Sequence, residues 1–399
     1  MVCALAPGNA MAGGMASPSE LTAALDVLGD ADLVVLADPN RRPTRVLLAT
    51  RVAAPFGHVR AMLSDLAAYR SALPSLRRFE FEEANKRAGS GEPSEGMVAW
   101  ELEVPLWNLE GKLWLRPTAT GAELTVMEGD FSPGLVRLSA TPEPGGTTLL
   151  SIDASTNLRD VNWIVKRMVK RNALAEPGLA AAAFYVLLRA LRLQAERMGD
   201  APDPRRHPTA APSPPALFEL DDGRLGRLAS AKFQAPALLA AVRSRANGRL
   251  ALVQVLAMSR LASGAASSLL AQPQTWQALP GLRQVSAANA VGNCDSAICW
   301  NVDSSVPFLD LDATWKVGMQ PWRAQSVTGA CQGGVMGLDL LPSGAGTAAV
   351  LSLHPRLEKA GYVPRKSIAS EPLLEHGLSL GLAVVDMVSL VHALDAGAR

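Results

Sequence analysis

The chain has 399 residues, 48% of them apolar and 19% charged, with 38 basic side chains against 37 acidic ones. That length suggests two or three domains rather than one, and the apolar share lets each half bury a core. A formal net charge of +1 excludes the basic excess with which nucleic-acid-binding proteins neutralise phosphates, so no nucleic-acid partner is expected.

Residues 1–17, MVCALAPGNAMAGGMAS, read as a disordered leader. They lack the basic start and long apolar run of a signal peptide. A first domain is read over residues 18–198. It begins with LVVLADPNRRPTRVLLATRV, two β-rich runs around a Pro-Asn turn. APFGHVRAMLSDLAAYRSALP then reads as a short helix and a break, ending at Pro74. WELEVPLWNLEGKLW, from Trp100 to Trp114, reads as a β-hairpin. Alternation places Trp100, Leu102, Val104 and Leu106 on one face and Glu101 and Glu103 on the other, so Trp100 should point inward. Trp114 alternates with Lys112 and Arg116, whereas Leu113 and Leu115 occupy the other register; a slip or bulge would reconcile them. The strand GGTTLLSID follows, then the short basic segment NWIVKRMVKRN. There Lys166, Arg167, Lys170 and Arg171 stand beside Trp163, Ile164, Met168 and Val169. Such a segment either rests on an anionic membrane surface or forms a solvated face over a cavity entrance. Glu176-Pro177 opens a long apolar helix, small at Ala180 to Ala183 and carrying Tyr185.

Residues 199–215, GDAPDPRRHPTAAPSPP, are too Pro-rich to join a core and read as a linker. Beyond them, residues 216–399 repeat the order of features. LLAAVRSRANGRLALVQVLAMSR turns at Asn247-Gly248, and SGAASSLLAQPQTWQALP ends at Pro280 as its counterpart ends at Pro74. WNVDSSVPFLDLDATW runs from Trp300 to Trp315, AGTAAVLSLH follows, and Glu371-Pro372 opens a second long helix. Trp300 and Trp315 both alternate with apolar residues and should point inward, as packing or as cavity lining. The chain is therefore a duplicated α+β domain: in each copy a curved antiparallel sheet wraps a long C-terminal helix. Cleavage in the linker should leave two folded fragments.

Ala54-Pro55, Val59, Leu63, Asp65, Tyr69 and Leu73-Pro74, together with the basic segment ahead of the long helix, carry a family resemblance. The first copy resembles the START-like/polyketide-cyclase (SRPBCC, helix-grip) superfamily, nearest to its coenzyme Q-binding and lipid-transport branch. The second copy departs from it, with a shorter first helix and Ala257-Met258-Ser259 at a strand end. The resemblance implies a deep apolar cavity between sheet and helix that takes a lipid, sterol, quinone or polyketide. The residues assigned to it are Trp100, Leu102, Trp114, Arg116, Ala183, Tyr185, Trp300 and Trp315. Arg116 and Arg137 read either as inward cations or as solvated strand-face residues.

Little else points to chemistry. The four cysteines match no zinc pattern and form no disulfide framework, which implies a reducing, cytoplasmic setting. Cys294 and Cys299 are either buried thiols or a pair across a turn. His58, His207, His354, His376 and His392 are scattered, and GACQGG around Cys331 reads as a glycine-rich strand or bulge. No phosphate cradle or metal spacing is visible, so no catalytic residue, metal or cofactor is assigned. The leading expectation is binding or transport of a hydrophobic small molecule, with transient contact to an anionic membrane. One alternative is a didomain polyketide aromatase/cyclase using Arg116, Tyr185 or His354; another is a scaffold whose second domain is filled.

Overall fold

The computed structural model describes residues 16–38, 43–82, 95–104, 107–158, 161, 163–198, 237–245, 247–277, 279, 282–287, 299–306, 311–318, 322–344 and 346–397. The Pro-rich linker, most of the leader, Cys3 and Cys294 lie outside them.

The first repeat runs α1 (Pro18–Leu28), β1 (Asp32–Ala37), β2 (Thr44–Val52), α2 (Phe56–Met62), α3 (Leu66–Ala72), β3 (Leu76–Phe81), β4 (Gly96–Val104), β5 (Trp107–Pro117), β6 (Gly121–Gly129), β7 (Gly134–Pro142), β8 (Thr148–Thr156), α4 (Trp163–Arg171) and α5 (Ala175–Met198). The second runs β9 (Ala237–Ser244), β10 (Leu250–Ser259), α6 (Ser263–Leu270), α7 (Pro273–Gln277), β11 (Leu282–Ala287), β12 (Cys299–Val306), β13 (Leu311–Gly318), β14 (Trp322–Gly329), β15 (Val335–Ser343), β16 (Gly346–His354), α8 (Tyr362–Ser370) and α9 (Leu374–Gly397). In each repeat the hairpin closes on the last strand, β2 on β8 and β10 on β16, and the remaining strands follow in reverse order out to an edge.

Local hydrogen bonds repeat as well as elements. The Tyr69 hydroxyl donates to the Leu63 carbonyl at 2.8 Å, and the Trp276 indole donates to the Leu270 carbonyl at 2.7 Å. Thr148 Oγ1 donates to the Ala54 carbonyl and Thr347 Oγ1 to the Leu261 carbonyl. Near the end of each long helix a carboxylate accepts a backbone N–H from the end of the second strand: Glu196 from Ala53, Asp395 from Arg260.

The two repeats do not stand apart. β1 pairs antiparallel with β9 from Asp32↔Val242 to Ala37↔Ala237, which fuses both sheets into one of sixteen strands. On its concave side α5 packs against α9 at small residues. A Cβ at Gly178 would meet the Gly381 carbonyl and Val385 Cγ2, each at 2.7 Å, and a Cβ at Gly377 would lie 2.7 Å from Val186 Cγ2. On the convex side α1 bridges the junction: Leu21, Leu25 and Leu28 pack with Leu33 and Val35 of β1 and Leu239 and Ala241 of β9. Ser17 and Glu20 cap this helix reciprocally. One hydrophobic cluster on the concave side contains residues of both repeats. The expectation of two separately packed fragments is thus corrected: an exposed β1 edge would invite pairing, and here the second repeat supplies it.

Both long helices are apolar and long enough to cross a membrane by length and composition, but each is mostly buried as a core helix.

Candidate functional site

Each repeat forms a cup, with the inward strand faces as its wall and the long helix across it. In the first repeat Val98, Trp100 and Leu102 of β4 face inward; Phe81, Phe79 and Leu76 lie opposite them on β3. Leu113 and Leu115 of β5 are buried. The Trp100 indole is 7% exposed, lies 6.0 Å from the Phe131 ring and rests against Gly111, where a Cβ would come within 3.0 Å of Nε1. Trp100 Nε1 is buried and has no hydrogen-bond partner among the described residues. A buried indole N–H normally finds one.

The remaining assigned residues divide. Trp114 and Arg116 lie on the convex side: Trp114 is exposed and its indole donates to Glu95, and Arg116 pairs with Glu123 at 2.7 Å. Arg137 shares that Glu123. A bulge does occur, but on β6, where Met127 is the extra residue opposite Lys112 and Leu113; β5 stays in regular register with β4, so its own alternation turns Leu113 and Leu115 inward and Trp114 and Arg116 outward. Trp300 and Trp315 face inward in the second repeat. The two tryptophan-bounded stretches match in letters and not in space. Trp315 pairs with Val302 and Ser326 as Leu113 pairs with Val98 and Val126, so Trp315 takes the place of Leu113. By the same ladders Ser304 takes the place of Trp100, and its Oγ accepts from Trp315 Nε1 at 3.1 Å.

Ala183 and Tyr185 cannot share a surface, because two residues along a helix turn a side chain through about 200°. Ala183 is exposed, on the stripe with Leu179 and Leu187, which pack against the core. Tyr185 is fully buried on the other side, at the junction of the repeats. Its hydroxyl donates to Asp32 at 2.7 Å; Asp32 also accepts from Thr50 and from Arg192 Nη1 at 2.9 Å, and Arg189 Nη1 lies 3.6 Å away. Burial would raise the Asp32 pKa, but Arg192 and Arg189, together with the hydrogen bonds from Thr50 and Tyr185, hold the carboxyl below its usual range. Burial and the Asp32 charge push the Tyr185 hydroxyl well above 10. Across the junction His376 of α9 stacks on Tyr185 with centroids 6.3 Å apart, and its Nε2 lies 3.1 Å from Ser244 Oγ. Burial, aided by Arg189, lowers the His376 pKa to about 3, so this imidazole is neutral. The cluster ties α5 to β1 and to α9 across the junction.

One interior group escaped the sequence reading. The Glu196/Asp395 equivalence places Asp386 of α9 where α5 has Leu187. Asp386 is exposed by area although Ala383 and Met387 beside it are fully buried, and burial pushes its carboxyl up to about 7. Accessible yet surrounded by protein, it sits in the recess of the second cup. The buried Cys331 thiol is close enough for the Asp386 charge to add to its pKa, which burial chiefly raises, to about 12. A single Asp in an apolar helix reads as solvent-facing, which hid it. His354, the remaining cyclase candidate, alternates with Leu353 on β16, and the inward face of that strand belongs to Leu351 and Leu353.

No protein-family model matches the chain, and no curated protein matches it. Among solved structures it is similar to a START superfamily protein from Mycobacterium smegmatis, at 20% identity over 39% of this chain and 98% of that one, TM-score 0.30. It is also similar to two di-domain ARO/CYC proteins. StfQ, from the steffimycin biosynthetic pathway, is 10% identical over 86% of this chain and 97% of that one, TM-score 0.26. BexL, from the BE-7585A biosynthetic pathway, is 9% identical over 89% and 98%, TM-score 0.28. On its own geometry, each repeat is an α+β unit in which an antiparallel sheet grips a long C-terminal helix, the START-like fold expected from its motifs.

Proposed function

We propose that the protein binds a hydrophobic small molecule in the cup of its first repeat and carries it without transforming it. The observation that supports this reading most is the unpaired N–H of Trp100, held inside an otherwise apolar wall. Leaving a buried donor unsatisfied costs about 1–3 kcal/mol, a cost a ligand bearing one acceptor oxygen would remove. Affinity itself would come from apolar contact: burying about ten methylenes contributes roughly 8 kcal/mol before ordering costs. A cyclase would need polar groups converging on reactive carbonyls. Arg116, Tyr185 and His354 all lie away from the cups, which supports a carrier over an enzyme.

Mass spectrometry of an organic extract of the purified full chain tests the reading. An apolar, oxygen-bearing molecule should be recovered at no more than one per cup. Recovery of none, together with no calorimetric binding of octyl-chain ligands, would sink the proposal.

A further inference from the structure

Asp386 lies on the helix face toward the second cup, accessible yet surrounded by protein, and makes no hydrogen bond or ion pair among the described residues. Among the described side chains, the cations on surrounding elements are engaged or turned elsewhere. Lys316 lies between the inward Trp315 and Val317 and so points outward; Arg323 bonds Asp339 at 3.0 Å. Arg189 on α5 belongs to the Asp32 cluster, and Arg197 acts on Glu371. Arg243 of β9 donates to the Leu28 carbonyl. Arg365 and Lys366 of α8 are exposed, and Lys366 lies over the Tyr362 ring. On β16, His354 stands beside Arg245, Glu375, Glu358 and Arg356.

A carboxyl in such a place is costly when ionised and unpaired. A ligand carbonyl or hydroxyl could be met by a Ser or Thr at far lower cost, as Ser304 meets Trp315 in the same wall. What a carboxylate adds is charge, and the charge it complements is positive.

We infer that the second cup binds an apolar molecule carrying a cationic nitrogen, with the ammonium group paired to Asp386. The inference rests on the proposed ligand-binding role and extends it to a second, chemically distinct site. The pKa of Asp386 agrees with it: with its proton lost near neutral pH, the ion pair forms at the cost of little proton release. An alkylammonium, near pKa 10.4, stays charged over the same range. Amine binding should therefore strengthen from pH 6 to pH 8, whereas a neutral ligand that displaces water from the carboxylate should bind less well as pH rises.

Isothermal titration calorimetry of the full chain with octylamine and with octanol tests this, on the wild type and on Asp386→Asn. On the wild type at pH 8, octylamine should bind about tenfold more tightly than octanol, and the ratio should shrink at pH 6. In Asp386→Asn the two should bind within about twofold of each other, with the thermal transition intact. If octanol and octylamine bind the wild type equally, the inference is overturned and the ligand-binding role stands. A preference for the amine that survives Asp386→Asn overturns it as well. If neither ligand binds, the ligand-binding role itself fails and takes the inference with it.

Discussion

The Tyr185 hydroxyl donates to Asp32 across 2.7 Å, and this bond ties the long helix of the first repeat to the strand that meets the second. Asp32 also neutralises Arg192 and faces Arg189. Removing one member of a buried, hydrogen-bonded ionic cluster leaves the others uncompensated. Asp32→Ala should cost about 3–5 kcal/mol in denaturant unfolding, and Tyr185→Phe about 1–2 kcal/mol. The folded-state pKa of Asp32 lies below its unfolded value. Its contribution is therefore complete above the unfolded carboxylate pKa near 3.8 and is lost as pH falls through the folded pKa. Wild type should lose stability more steeply than Asp32→Asn below about pH 4.

The junction makes a second prediction. With β1 paired to β9 and α5 packed on α9, a chain cut between residues 199 and 215 should keep its halves together. Both fragments should co-elute in size-exclusion chromatography and unfold in one transition. Gly178→Val would press Cβ into the Gly381 carbonyl and Val385. It should lower stability by about 1–3 kcal/mol and favour separation of the cut halves. Independent melting of two fragments would contradict this.

Much of the fold was legible because its signals are local. Alternation oriented Trp100 and Trp300, and the Glu-Pro pairs at 176–177 and 371–372 fall close to the start of each long helix, although Pro177 is the third residue of α5 and Pro372 precedes α9. The duplicated order of elements implied two cups. What was not legible depends on pairing between distant strands. Trp114 and Trp315 looked equivalent by position in a repeated phrase, yet the hairpin loop between β12 and β13 is longer than that between β4 and β5. This shifts which letters coincide in space. Tyr185 reads from the sequence as a cavity residue on the long helix, but its hydroxyl is bound to Asp32, 153 positions away. Asp386 could not be separated by composition from a solvated helix face, since what surrounds it comes from strands distant in the sequence, such as the Cys331 turn.

The basic helix α4 carries a third prediction. Lys166, Arg167 and Lys170 are exposed along it while Val169 is buried. A helix with this division can lie on an anionic surface, each charge contributing about 1 kcal/mol at most. Reversing Lys166, Arg167, Lys170 and Arg171 to Glu should abolish sedimentation with phosphatidylserine vesicles and leave the thermal transition unchanged. A wild type that never sediments with them would show that the segment only faces solvent.

Asp386 sets the direction of a pH effect that Asp32 does not. Its folded pKa of about 7 lies above the ordinary value of 3.8, so the folded state holds the proton more tightly. Stability without ligand should fall as pH rises from about 4 to about 7 and level off beyond. Asp386 is reached by solvent, which reduces the effect to the order of 1–2 kcal/mol. Asp386→Asn should remove that slope and be the more stable protein at pH 8. An unchanged slope in urea titrations at pH 5 and pH 8 would show that the carboxyl is solvated in the folded state.

Trp100→Phe isolates the polar part of recognition in the first cup. The indole N–H has no partner among the described residues, so deleting it loses no hydrogen bond to them and relieves about 1–3 kcal/mol of unmet donor cost. The smaller ring also leaves a gap where the indole rested on Gly111 and near Phe131, and such a gap costs a similar amount. The two effects oppose, and unfolding free energy should change by less than about 1 kcal/mol. Ligand binding separates what stability cannot. A ligand whose carbonyl accepts from Nε1 should lose about 1 kcal/mol, roughly fivefold in affinity, on Trp100→Phe. A hydrocarbon of equal length has no acceptor and should bind both proteins alike. Measuring 2-nonanone against nonane by calorimetry gives the comparison. If both lose affinity equally, Trp100 contributes shape alone and its N–H is not a recognition element.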